Sequence, residues 1–145
     1  MIKNERQYRI TKAQAERFAG ALANFRHKAQ TDQQVHPLLL KMQEDALTSQ
    51  LADLEHELRE YEAVKAGDFH VEELRTVADL PKTLIMARIS MGLSQKDLAD
   101  RLGLKEQQIQ RYEATDYASS SLTRIREVVK ALGVDIDDSL LPQNI

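Results

Sequence analysis

The chain has 145 residues, 42% of them apolar and 30% charged, with a formal net charge of −3 and a sequence pI near 5.8. Such a balance describes a globular chain rather than a disordered or membrane-embedded one, and the length suits one domain or two small ones. There is no cysteine, which removes disulfides and cysteine-based zinc sites, and no apolar run approaches the ~20 residues of a membrane helix. The opening Met1 to Gln7 is polar and offers no signal-peptide core, so the expected setting is a bacterial-type cytoplasm with no membrane contact.

A first helix is expected to open at Thr11, with Phe18, Leu22, Phe25 and Ala29 on one face, and to end at the polar run Gln30 to Gln34. A second begins near His36, with Pro37 at the favoured first helical position, and ends near Ala66-Gly67. It carries Leu40, then Leu47, Leu51, Leu54, Leu58 and Tyr61 in alternating steps of four and three, a heptad-like seam that wants a helical partner. The partner is either the first helix of the same chain, giving an antiparallel hairpin, or a second copy, giving a homodimer. From Glu44 to Glu62 the chain bears Glu44, Asp45, Asp53, Glu55, Glu57, Glu60 and Glu62 against Arg59 alone, a surface suited to facing away from nucleic acid or toward a basic partner.

Residues 68–79 form the expected linker between an N-terminal region at 1–67 and a second domain at 80–145; Phe69 to Val77 has neither helical nor strand periodicity. His27, His36, His56 and His70 lack metal-ligand spacing, so no metal and no cofactor is expected. The adjacent acids Glu72-Glu73 and Asp137-Asp138 diverge on a helix, and no phosphate loop or nucleophile arrangement is present, so catalysis is not expected.

Pro81 suits a first helical turn for a helix bearing Leu84, Ile85, Ala87, Arg88 and Ile89, closed by Gly92. Leu93 to Glu113 then reads as two short helices about a tight turn. Ser94 caps the first, with Asp97 reaching back; Leu98 and Leu102 face inward; Ala99 is small enough for a second helix to cross closely; Gly103 supplies a left-handed stop. In the second helix Ile109 and Tyr112 are the apolar face, leaving Lys105, Glu106, Gln107, Gln110 and Arg111 outward. Gln matches adenine N6/N7 and Arg matches guanine O6/N7 in a major groove, whereas charge alone would fit an ordinary solvated face. Residues 94–113 carry four basic and four acidic side chains, so a shallow salt dependence is expected. The loop Ala114 to Ser120 offers small hydroxyls and backbone amides to phosphates. A fourth helix turns Leu122, Ile125, Val128, Val129 and Leu132 inward up to Gly133, and Val134, Ile136, Leu140 and Leu141 suggest a short fifth.

Arg88, Gly92, Leu93, Ser94, Gln95, Leu98, Ala99, Leu102, Gly103, Ile109, Glu113 and Ala131-Leu132-Gly133-Val134 together resemble the Cro/phage-repressor (XRE) family over residues 80 to 141. The resemblance implies a five-helix lambda-repressor-like helix-turn-helix domain for this segment; with the N-terminal helical hairpin read from apolar spacing before it, the expectation is an all-α protein. The resemblance also implies that Gln95 holds the DNA backbone, that Glu106, Gln107 and Arg111 face base edges, and that Arg88 and Glu113 form a structural ion pair. With Ser94, Lys96, Lys105 and Gln110 these make the candidate DNA-binding set; Leu47, Leu51, Leu54, Leu58 and Tyr61 are the candidate dimer or partner seam. Two departures from the family pattern are Leu104-Lys105 where a Ser or Thr cap is usual, and Ala114-Thr115-Asp116-Tyr117 where a Gly commonly follows the terminal Glu. The order of the two regions is also similar to that of HigA-type antitoxins, which implies a basic RNA-cleaving toxin as a partner. The expectation is a dimeric, sequence-specific regulator of double-stranded DNA, a repressor found on the nucleoid when bound; the alternatives are such an antitoxin, or a protein-interaction module on a helix-turn-helix scaffold.

Overall fold

A computed structural model describes residues 1–31, 34–68 and 77–134. Among these it is all-helical: α1 (Glu5–Thr31), α2 (Pro37–Lys65), a 3-10 turn (Val77–Asp79), α3 (Leu80–Ser90), α4 (Gln95–Leu102), α5 (Glu106–Ala114) and α6 (Leu122–Leu132). The chain divides into two compact units, Met1–Glu62 and Ala63–Ile145. The expected extended segment at 69–76 and the expected fifth helix beyond Val134 lie outside the described residues.

In the first unit α1 begins six residues before the expected Thr11, which is instead buried within the helix. The start is set by Asn4, whose Oδ1 accepts from the Gln7 amide at 2.9 Å, while Gln7 Oε1 accepts from the Lys3 amide at 2.8 Å. An Asn with a Gln three residues on is a capping signal in its own right, and it outranks the apolar spacing as a marker of the helix start. At α2, His36 Nδ1 accepts from the Leu38 amide at 3.1 Å just ahead of Pro37, and the left-handed Gly67 closes the other end.

The two helices run antiparallel, as paired contacts at both ends require. Near the N-terminus Tyr8 stacks on Tyr61 with ring centroids 5.1 Å apart, Tyr8 donates to Glu62 at 2.6 Å and Tyr61 donates to Glu5 at 3.2 Å; at the other end Arg26 meets Glu44 at 2.8 Å. Tyr61 is thus buried against α1 of its own chain, and Leu54 shares a cleft with Phe18. Of the two partners the seam might take, α1 occupies these positions. Leu47, Leu51, Leu54 and Leu58 remain half-buried because a two-helix hairpin covers only one side of each helix.

The second unit has a denser core, with Leu84, Ile85, Leu98, Ala99, Ile109 and Val128 almost without exposure. α4 packs on α5 and on α6, and α6 packs on α3. Leu122, expected inside, is instead 71% exposed. It lies at the first turn of α6, about 75° around the helix from the middle of the stripe formed by Ile125, Val128, Val129 and Leu132, so the packing angle leaves it outside.

Candidate nucleic-acid interface

The turn between α4 and α5 fixes the site. Ser94 Oγ accepts from the Asp97 amide at 3.0 Å, and Asp97 Oδ2 accepts from the Ser94 amide at 2.9 Å, a reciprocal capping box. The backbone hydrogen bond from Ser94, then the one from its side chain, hold the Asp97 carboxyl below its usual pKa. Gly103 stands at φ 67°, where the Leu104 amide can reach back to Ala99 O at 2.8 Å and turn the chain into α5. Ala99, 1% exposed, gives the close crossing.

α5 starts without a side-chain acceptor at its cap, since the Lys105 ammonium can only donate. The returning half of the box is present: Gln108 Oε1 accepts from the Lys105 amide at 3.0 Å. Sequence reasoning misses Gln108, because a Lys three residues ahead of a Gln does not flag a cap.

Beneath α5 lies a buried polar cluster. Arg88 donates through Nε to Glu113 Oε1 at 2.6 Å, through Nη2 to Oε2 at 2.9 Å, and through Nη1 to Leu93 O at 2.7 Å; the Gln95 amide donates to Glu113 Oε2 at 2.7 Å. Arg88 and Glu113 are 2% and 0% exposed. The bidentate geometry ties the C-terminal end of α5 to α3 and α4, so the outward residues of α5 are held on a fixed helix. Gln95 therefore differs from the rest of the candidate DNA-binding set. It is 5% exposed, and its amide nitrogen is committed to Glu113 rather than offered at the surface.

The other candidates, Ser94, Lys96, Lys105, Glu106, Gln107, Gln110 and Arg111, are all exposed. Five belong to α5 or its cap. Gln110 Nε2 donates to Glu106 Oε1 at 3.3 Å, and Lys96 lies 3.5 Å from Asp100. Lys105 and Arg111 make no ion pair among the described residues.

The loop after α5 corrects one expectation. Its amides are not free: those of Asp116, Tyr117, Ala118 and Ser120 donate to the carbonyls of Glu113, Tyr112, Thr115 and Tyr117, and that of Ser119 donates to Thr115 Oγ1. No Gly is present to turn the chain, so Asp116 and Tyr117 take positive φ, 48° and 60°. A left-handed non-glycine residue costs about 1–2 kcal/mol. Burial of the Tyr117 ring, 2% exposed and stacked on Tyr112 at 6.2 Å, offsets it. Its hydroxyl is buried without a partner among the described residues. Burial first, and the nearby Glu113 charge second, push the phenol well above its ordinary pKa.

Residues 84–139 match the family model described as Helix-turn-helix. This segment is a helix-turn-helix domain of the Cro/phage-repressor (XRE) type. No curated protein and no solved structure matches the chain. In the broad sense the family gives, the protein is a DNA-binding transcriptional regulator. No helix among the described residues is long and apolar enough to cross a membrane, and none of their His, Cys, Asp and Glu side chains gather in a group that would hold a metal ion.

Proposed function

We propose that the protein is a sequence-specific repressor whose α5 enters the major groove of a roughly palindromic operator, two copies reading half-sites about one DNA turn apart. The observation that carries this reading is the exposed row Lys105, Glu106, Gln107, Gln110 and Arg111 on a helix anchored from below by Arg88, Gln95 and Glu113. Rigid presentation is what base readout needs, because bidentate pairs from Arg to guanine or Gln to adenine tolerate little misplacement. Arg111 is the leading base-reading side chain, and Lys96 at the start of α4 is a phosphate contact.

The acidic side chains of α2 motivate the antitoxin reading, in which α2 grips a basic toxin. The same hairpin carries Arg6, Arg9, Lys12, Arg17, Arg26 and Lys28 on α1, which a basic partner would meet as well. The regulator reading is therefore preferred.

The test is selection from a library of genomic fragments by the purified chain beside Arg111→Ala and Lys96→Ala. Arg111→Ala should cost about 1–3 kcal/mol on the selected site and relax one base position, while Lys96→Ala weakens all sequences alike. Because basic and acidic groups balance around α4 and α5, the salt dependence should correspond to only a few phosphate contacts per protomer. Enrichment of no fragment, or unchanged selectivity in Arg111→Ala, would overturn the assignment.

A further inference from the structure

We propose that the N-terminal hairpin pairs with a second copy of itself through the cleft face that carries Ile10 and Arg17 on α1 and Leu39, Met42, Asp53 and Glu57 on α2. This deepens the dimeric reading above by naming its surface.

The cleft between the helices has Arg17 and Phe18 on one wall and Asp53, Leu54 and Glu57 on the other. Helix periodicity extends this face in both directions. Ile10 precedes Arg17 by two turns, Leu39 precedes Gln50 of the lining by three turns, and Met42 precedes Asp53 by three. These are large apolar side chains left in water: Ile10 is 49% exposed, Leu39 48% and Met42 62%. Of the seam residues, Tyr61 is stacked on Tyr8 of its own chain, and Leu54 lines the cleft itself.

Charge selects the occupant. α1 holds six basic side chains against two acidic ones, and α2 seven acidic against three basic. A wholly basic partner would suit α2 and be repelled by α1; a wholly acidic one would meet the reverse. A copy related by a two-fold axis fits both, since every contact in such an interface occurs twice with the roles exchanged. Setting α1 of one copy over α2 of the other brings Arg17 to the partner's Asp53 and Glu57. Within one chain Arg17 and Asp53 make no ion pair among the described residues, so both are available, whereas Glu57 lies 3.9 Å from the N-terminal ammonium of its own chain. In that register Ile10 covers the partner's α2 near Glu60, and Leu39 and Met42 cover its α1 near Lys28, so each withdraws apolar surface from water while the charges set register and partner choice.

The test measures the mass of the full chain by sedimentation across the micromolar range, without DNA, so its failure is separate from any failure of the DNA reading. The wild type should be a dimer. Met42→Glu and Arg17→Glu should each raise the dissociation constant more than about tenfold, with unchanged helical circular dichroism because both positions are exposed. Combining Arg17→Glu with Asp53→Arg and Glu57→Arg should restore the dimer. A monomeric wild type, a dimer indifferent to Met42→Glu and Arg17→Glu, or a charge swap that fails to restore pairing would overturn the proposal. A monomer that binds a basic protein through Met42 would do the same and give the cleft to that partner.

Discussion

Glu113→Gln is the most demanding test of how the recognition helix is held. The carboxylate is 0% exposed and accepts from Arg88 Nε, Arg88 Nη2 and the Gln95 amide within 2.9 Å. A Gln has nearly the same shape but offers one oxygen and one NH2. Whichever way its amide is turned, at least one donor of Arg88 or Gln95 then faces a second donor, and the Arg88 charge, 2% exposed, loses its counterion. Removing one partner of a buried pair costs about 3–5 kcal/mol. Replacing both, as in Arg88→Met with Glu113→Leu, leaves no uncompensated charge and should cost far less than the sum of the two single changes, because desolvation no longer has to be offset. Urea denaturation followed by circular dichroism, on Glu113→Gln and on the cycle of wild type, Arg88→Met, Glu113→Leu and the double variant, measures both effects. A loss below about 1 kcal/mol for Glu113→Gln, or additive costs in the double variant, would refute the account of Glu113 as an anchor.

Three further outcomes follow from the same geometry. Tyr117→Phe removes a buried hydroxyl without a partner among the described residues, so stability should hold or rise by up to about 1–2 kcal/mol; a comparable loss in a thermal melt would mean that the hydroxyl has a partner. Gly103→Ala should cost about 1–2 kcal/mol through the backbone alone, since φ is 67° and a Cβ there meets no atom within 4 Å; an unchanged melting temperature would contradict the role of the left-handed turn. Asp97 has a folded pKa below its unfolded value, so the unfolded chain binds the extra proton as the solution is acidified. Its capping contribution is therefore present above about pH 4 and is lost as pH falls through the folded value; stability of Asp97→Asn should vary less than wild type between about pH 5 and pH 2. Parallel curves for the two proteins would reject that linkage.

What the sequence alone determined is local. Ser94 with Asp97, Gly103 after Leu102, and Pro37 and Pro81 at helix starts act through neighbours within a turn, so their spacing was sufficient to place α2, α3 and α4. The pattern from Arg88 to Glu113 likewise marked the helix-turn-helix, because its small, apolar and Gly positions repeat at helical intervals. Tertiary structure decided what depends on distant neighbours. Gln95 is a polar side chain whose burial follows only from Glu113 arriving 18 residues later. Tyr117 reads as a loop residue, yet its ring fills the space under α5 and holds the backbone left-handed without a Gly. Leu122 has the right residue type for a core and the wrong angle. The Leu47 to Tyr61 seam announced a helical partner but not which one, since a heptad stripe is equally satisfied by any apolar face. The position of Tyr8 on α1 of the same chain, 5.1 Å from Tyr61, made that choice.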